Sequence, residues 1–401
     1  MSHPTELAVD PSAGLAALLA TRTEANARFF DAESERLARL CHLMAERFAR
    51  GGRLIAFGRS PAARSDARHV AVEFVHPVIV GKRALPALGL AGEGGSLPAQ
   101  VHLLARADDI AMAFGAGDDD GEAAAAIAVA RRRGCLTIAF AAVPTHPAEW
   151  EFIPPTSDVD VSQELVETLY HVLWELVHVF FEHRGLLAGR RERRSHDAGA
   201  SSFLYPFLDE REDKLEPVVE DVRRSLLAKA ADTGELRAQT LGDNADALGD
   251  AATALRLCFA RGGTLLALGN GGSATDAMDA VADFRSAGRP AIDLTEDPAI
   301  LTAIANDIGT DAIFSRQVIA YGAAGDALLA LSTSGNSSNV IAALAEARRR
   351  GLVTVAMVGY DGGRVAAEGL ADHVVVTRSE HIPRIQEAQA SAYHALRALV
   401  R

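Results

Sequence analysis

Three observations predict a doubly wound α/β fold, a mostly parallel sheet covered by helices on both faces, present twice in the chain. Short apolar runs alternate with helical stretches of roughly ten to fifteen residues. Two apolar runs, Thr264–Ala267 and Ala327–Ala330, end in glycine- and hydroxyl-rich turns that open helices. The first half also returns in the second. Phe48-Ala49-Arg50-Gly51-Gly52 reappears 211 positions later as Phe259-Ala260-Arg261-Gly262-Gly263, and Arg131-Arg132-Arg133-Gly134 reappears 217 positions later as Arg348-Arg349-Arg350-Gly351.

The elements follow in order. Residues 1–10 read as a loose lead. Leu37, Leu40, Cys41, Met44 and Phe48 recur at helical spacing in a helix from about Leu15 to Arg50, stopped by Gly51-Gly52. Arg53–Phe57 reads as a strand, Gly58-Arg59-Ser60 as a turn, and Ala62–Phe74 as a helix. Strands are expected at Ile110–Phe114 and Leu136–Phe140, with a helix over Glu122–Arg133 between them. Residues 144–161, rich in Pro, Asp and Thr, read as a loop, and Ser162–Phe181 as a long helix. Residues 1–184 thus form one domain and 218–401 another. Between them, 185–217 carries Arg190-Arg191-Glu192-Arg193-Arg194 and an acidic run from Asp209 to Glu216, and reads as a linker. A helix pattern resumes near Val218 and runs to Arg261 with a break expected at Gly234; Val353–Met357 is a later strand.

Composition narrows the function classes. The 401 residues are 49% hydrophobic, enough for two domains with real cores, and the net charge is -13. That balance argues against nucleic acid as a partner. The three cysteines, Cys41, Cys135 and Cys258, show no CxxC spacing, so neither a disulfide framework nor a thiolate metal site is expected. No basic segment followed by an apolar signal core opens the chain, and Val172–Phe181, the most apolar helical stretch, is about half a membrane span. No membrane association and a cytoplasmic location are expected.

The turns carry chemistry. Leu268-Gly269-Asn270-Gly271-Gly272-Ser273 is a strand, a tight glycine turn and a helix start, which aims free backbone N–H groups at an anion. Leu331-Ser332-Thr333-Ser334-Gly335-Asn336-Ser337 repeats the arrangement. Two such turns in one α/β unit predict a pocket for a phosphorylated sugar; the plain alternative is two ordinary helix caps.

The second half resembles a sugar isomerase (SIS) domain of the phosphoheptose isomerase type. The resemblance rests on Gly269-Asn270-Gly271-Gly272-Ser273, Ala305-Asn306-Asp307, Asp311-Ala312-Ile313-Phe314-Ser315-Arg316, Ser332 through Ser337, and Arg384-Ile385-Gln386-Glu387. It covers about residues 220–401; the first half is similar in weaker form. The resemblance implies interconversion of sedoheptulose 7-phosphate and a heptose 7-phosphate, no nucleotide cofactor, and a homodimer of two-domain chains. It implies that Asn270, Gly271, Gly272, Ser273, Ser332, Thr333, Ser334 and Ser337 hold phosphate and hydroxyl groups, with Asp307 and Gln386 assisting. The family's metal site has a His and a Glu four apart, then a Gln and a His eight apart. In the second half the matching positions are Asp279, Asp283, Gln386 and His394, so the first two depart from the pattern.

In the second half, Asp279 and Asp283 share a helix face. Two carboxylates, an imidazole and an amide oxygen make a mixed donor set for zinc, manganese or magnesium; the alternative is a solvated acidic face. Asp is one methylene shorter than Glu, which puts the reach of a base in doubt. In the first half, His69, Glu73, Gln163 and His171 match the metal set residue for residue, but its turns are degraded to Gly58-Arg59-Ser60-Pro61 and Gly115-Ala116-Gly117-Asp118-Asp119-Asp120. The two halves therefore retain complementary parts. The leading expectation is an aldose–ketose isomerase using a divalent metal, zinc first, with Asp283 as base, His394 as acid, Asp307 assisting, and Glu73 as the corresponding group of the first half. The alternative is a non-catalytic sugar-phosphate sensor or protein-docking module.

Overall fold

The structure is a computed structural model that describes residues 11–78, 82–91, 95–116, 121–141, 148–187 and 214–400. The Arg190 cluster, Asp118-Asp119-Asp120 and most of the expected linker lie outside the described residues. The chain forms two compact units, Ala25–Asp232 and a second made of Met1–Glu24 with Thr233–Arg401. The division falls within two long helices, α1 (Pro11–Ala49) and α6 (Leu215–Asp243).

In the Ala25–Asp232 unit, α1 is followed by β1 (Leu54–Phe57), α2 (Pro61–Val75), β2 (Ala87–Leu90), α3 (Leu97–Leu104) and β3 (Ile110–Ala116). Then come α4 (Glu122–Arg132), β4 (Leu136–Ala141), β5 (Trp150–Phe152) and α5 (Val159–Glu182). The sheet is parallel, in the order β2-β1-β3-β4-β5. Alternation of side chains sorts each strand onto two faces. Leu54, Ala56, Met112 and Ile138 join the core under α1, α2 and α5, whereas Ile55, Phe57, Ala111 and Ala139 join the core under α3 and α4. That double burial explains why the strands read as continuous apolar runs.

The other unit repeats the plan. After α7 (Ala245–Ala260) come β6 (Leu265–Leu268), α8 (Gly272–Ser286), β7 (Ala291–Asp293), α9 (Pro298–Asp307), α10 (Ser315–Tyr321) and β8 (Ala327–Ser332). They are followed by α11 (Ser338–Arg349), β9 (Val353–Gly359), α12 (Gly363–Ala367), β10 (His373–Thr377) and α13 (Ile382–Val400). Its parallel sheet runs β10-β9-β8-β6-β7, the same connectivity.

Duplication extends to single hydrogen bonds. Asp109 accepts from the backbone N–H of Arg53 at 2.9 Å and of Arg106 at 2.9 Å. Asp326 accepts from the N–H of Thr264 at 2.8 Å and of Ala323 at 2.8 Å. In each unit one carboxylate just before the central strand ties its turn to the residue that precedes the first strand. The glycine at the start of each first strand is also required by a neighbour: a Cβ on Gly52 would lie 2.0 Å from the Asp108 carbonyl, and one on Gly263 2.8 Å from the Gly325 carbonyl.

Several elements go beyond or differ from the sequence expectation, and three of the differences have a clear physical reason. The stretch 144–161 contains β5, whose three residues are too short for periodicity to reveal. The helix from Leu215 runs through Gly234 and breaks at Asn244. There the Asn244 side chain bridges to β10, accepting from Val376 N–H at 2.9 Å and donating to Val376 O at 3.0 Å. One helical glycine costs only about 1 kcal/mol, too little to break the helix at Gly234, whereas the break at Asn244 coincides with its long-range pairing to β10. Third, the described helix α5 begins at Val159, where Asp158 caps it by accepting from Asp160 and Val161 N–H. Among the described residues no helix is long and apolar enough to cross a membrane.

Candidate active site

Two turns at the carboxyl ends of β6 and β8 form the first part of the site. Gly269 has no room for a side chain, because a Cβ would lie 2.1 Å from the Ser273 carbonyl. Gly271 has φ 59° and ψ -124°, a conformation that favours glycine, and no side chain caps α8 there. Ser273 is buried in the first turn of α8. In the second turn, Ser332 Oγ accepts from Gly335 N–H at 3.1 Å and Ser334 Oγ from Asn336 N–H at 3.2 Å. Ser337 occupies the N-cap of α11 without a side-chain capping bond. Thr333 is half-buried beside it.

The two turns are joined. Asn270 Nδ2 donates to Asn339 Oδ1 at 2.9 Å, and Asn339 Nδ2 donates to Asn270 Oδ1 at 3.0 Å. This reciprocal amide pair holds two helix N-termini together, neither of them capped by a side chain. Their exposed N–H groups and dipole ends suit one anion. Sequence reasoning missed Asn339; its signal was an amide in the first turn of the helix, just ahead of the apolar run Val340–Ala345.

The corresponding turn of the Ala25–Asp232 unit is closed. Ser60 caps α2 by accepting from Ala63 N–H at 3.2 Å, with Pro61 at the first helical position. Arg59 pairs with Glu122 at 2.7 Å, and the same carboxylate accepts from Leu97 N–H at 2.7 Å. The degraded motif thus satisfies its own helix start.

Carboxylates and imidazoles form the second part. In the unit that carries the cradle, α8 and α13 pack together. His394 Nε2, fully buried, lies 3.3 Å from Asp283 Oδ2 and 3.7 Å from Asp279 Oδ2. Tyr393 donates its hydroxyl to Asp279 Oδ2 at 2.8 Å. Arg397 Nε lies 3.7 Å from Asp283 Oδ2. Asp283 keeps 18% of its side chain exposed, so it is reachable, whereas Asp279 keeps 2%. Gln386 is buried two turns before His394. On either side of it, Arg384 and Glu387 pair at 2.6 Å and both bond Thr233, at 2.8 and 2.6 Å, which pins the start of α13. Asp307 stands apart in character: it is exposed at the end of α9 and accepts from Asn306 Nδ2 at 2.7 Å.

In the Ala25–Asp232 unit, His69, Glu73 and His171 come together in the interior, with donor atoms all within 4.8 Å of one another. His69 Nε2 lies 3.3 Å from His171 Nε2 and 3.9 Å from Glu73 Oε1, and Tyr170 Oη holds His69 Nδ1 at 3.0 Å. Burial, and next the neighbouring His171, drives the His69 pKa well below the usual histidine value. Two imidazoles and a carboxylate, with the Nδ1 of His69 fixed by a hydroxyl, are a chemically suitable donor set for zinc. Gln163 lies two turns before His171 on α5, half-buried. The three cysteines are buried and free, and burial pushes Cys135 and Cys258 up to about 11, so they stay thiols.

Glycine turns at the carboxyl ends of two parallel strands, each opening a helix, define a doubly wound α/β protein whose strand ends form the usual ligand-binding edge of such folds. Residues 230–359 match the SIS domain family. The chain is 44% identical over 177 residues to a phosphoheptose isomerase of Desulfovibrio desulfuricans, covering 43% of this chain and 83% of that one. It is 41% identical over 189 residues to a phosphoheptose isomerase of Geobacter sp. (strain M21), covering 46% and 95%. The fold of the whole chain is similar to the C-terminal domain of glucosamine-fructose-6-phosphate aminotransferase from Francisella tularensis, with TM-score 0.61, 9% identity and coverage of 100% and 97%. The chain belongs to the SIS-domain family, in its phosphoheptose isomerase branch.

Proposed function

We propose that the protein is an aldose–ketose isomerase that interconverts sedoheptulose 7-phosphate and heptose 7-phosphate. The observation that carries the reading is the Asn270–Asn339 amide pair joining two helix N-termini that no side chain caps. The phosphate sits against the amides of Gly271, Gly272 and Ser273 and the hydroxyls of Ser332, Thr333, Ser334 and Ser337. Relatives at 41–44% identity that carry this activity support the same substrate class.

The reaction moves one carbon-bound proton between adjacent carbons and one proton between their oxygens, with no net redox change. Asp283 takes the carbon proton, forming an enediol, and returns it to the neighbouring carbon; His394 exchanges protons with the oxygens. Their separation of 3.3 Å lets the imidazole hydrogen-bond the carboxylate or the sugar. Gln386, two turns before His394 on α13, and Asp307, exposed at the end of α9, assist. His69, Glu73 and His171 hold a divalent ion, zinc by donor type, with Gln163 assisting. Such an ion, when bound, supplies a positive charge that polarises a carbonyl or hydroxyl. The protein acts as a homodimer in the cytoplasm on a phosphorylated sugar.

Purified protein with sedoheptulose 7-phosphate provides the test. Formation of the aldose product is expected, and Ser334→Ala should weaken sugar-phosphate affinity by about 1–3 kcal/mol while leaving the dephosphorylated sugar nearly unaffected. Tight binding without turnover would instead favour a sugar-phosphate sensor, the reading that the altered Asp279 and Asp283 positions recommend. Equal losses for both ligands would remove the phosphate assignment.

A further inference from the structure

The two units hold equivalent residues at their helix pairs, and this provides an internal comparison. His69, Glu73, Tyr170 and His171 of α2 and α5 correspond to Asp279, Asp283, Tyr393 and His394 of α8 and α13. Three positions beyond each histidine, Trp174 corresponds to Arg397. The contacts then diverge. Tyr170 reaches the remote Nδ1 of His69 at 3.0 Å and leaves Nε2 facing His171 and Glu73. Tyr393 instead donates to Asp279 Oδ2 at 2.8 Å, an oxygen that lies 3.7 Å from His394 Nε2. Trp174 adds no charge to its cluster, but Arg397 brings a guanidinium whose side chain is 7% exposed to 3.7 Å from Asp283 Oδ2. That same oxygen lies 3.3 Å from His394 Nε2.

We propose that Arg397 is a built-in cation that takes the place of a divalent metal in the Asp279–Asp283–His394 constellation, so that this copy of the site binds no metal ion. An ion ligated by Asp283 Oδ2 and His394 Nε2 would sit on the oxygen that faces the Arg397 guanidinium at 3.7 Å. On Asp279, Tyr393 already takes one carboxylate oxygen, Oδ2, and leaves only Oδ1 for an ion. A dication there would stand close to a guanidinium that remains charged at every physiological pH. The carboxylates, on the other side of the balance, require a compensating positive charge when buried, and Arg397 supplies one from the same helix turn as His394. The donor set therefore does not fit the family's metal, although the motif spacing places four potential ligands there. This inference concerns charge compensation and stands whether or not the chain proves to be an isomerase.

The test is zinc stoichiometry and location in the full chain, with zinc ion alone as probe. In wild-type crystals soaked in zinc, anomalous scattering is expected to show no peak between Asp283 and His394. A zinc there overturns the proposal. A peak or no peak at His69 and His171 decides the separate assignment in the other unit. Two variants then ask whether Arg397 is the excluding group. Asp279→His restores an imidazole but keeps the guanidinium, and no additional zinc should bind by equilibrium dialysis. Asp279→His combined with Arg397→Leu should gain one zinc per chain and a zinc-dependent rise in melting temperature. If Asp279→His alone gains zinc as tightly as the double variant, Arg397 is not what keeps the metal out. The wild-type measurement keeps the proposal falsifiable should the double variant fail to fold.

Discussion

Lys82 is a cation held mostly out of water. Its Nζ donates to the Glu175 carbonyl at 2.6 Å and lies 5.3 Å from the centre of the Trp174 ring, while Lys229 pairs with the Glu175 carboxylate. Burial pushes its pKa down to about 8, partly offset by Glu175 and reinforced by Lys229. Below pH 8 the folded and unfolded chains both carry this proton, and the full cost of burying the charge is present. Between about 8 and the unfolded value near 10.4 the folded chain releases the proton first, so this group makes stability rise with pH across that window. Lys82→Met should therefore stabilise the protein at pH 7 by about 1–3 kcal/mol, with the gain shrinking as pH rises through that range. Denaturant melts at pH 7 and pH 9.5 measure it; an equal gain at both values would show that the ammonium is not the source.

At the scale of elements, the turn after β6 depends on backbone that admits no side chain. Gly269→Ala would place a methyl 2.1 Å from the Ser273 carbonyl and push the first turn of α8 away from α11. Phosphate-ligand affinity should fall at least tenfold, with a loss of roughly 1–3 kcal/mol in stability. Calorimetry with the sugar phosphate, beside a thermal melt, separates the two effects. Retained affinity would mean that the cradle does not rest on this turn. The strand–glycine–helix grammar made this element legible from the chain alone, as it did β1, β3, β4, β8 and β9, because strands buried on both faces write themselves as apolar runs. β2 and β5 were not legible: Ala87–Leu90 is an exposed, unexceptional edge, and Trp150–Phe152 is too short to show a period. The helix break at Asn244 depends on pairing with Val376, 132 residues away, which no local pattern encodes. Asp279, Asp283 and His394 could be grouped by spacing, but Arg397 could not, since nothing in its immediate neighbours marks an arginine that turns inward.

For the whole molecule, duplication lets each copy lose what the other retains. One unit keeps two helix N-termini without side-chain caps, joined by Asn270 and Asn339, while the equivalent helix start of the other is capped by Ser60. One gathers His69, Glu73 and His171, while the other gathers carboxylates around His394 with an arginine. Closed symmetry favours assembly of two such chains, and sedimentation should give twice the chain mass of 42.3 kDa; a monomer at working concentration would remove the dimer. Two isosteric substitutions then apportion the chemistry. Asp283→Asn removes the proposed base without changing shape, and turnover should fall by about 100-fold or more with KM little changed, since the turns after β6 and β8 are left intact. Glu73→Gln weakens a ligand in the other unit, and its expected signature is lost metal content. If the ion serves turnover, kcat falls with the metal and recovers in excess zinc. If the ion only stabilises the fold, the melting temperature drops while kcat per folded chain is unchanged. Unchanged turnover in Asp283→Asn, paired with a collapse in Glu73→Gln that zinc cannot rescue, would move the base to Glu73 and leave the cradle-bearing unit with binding alone.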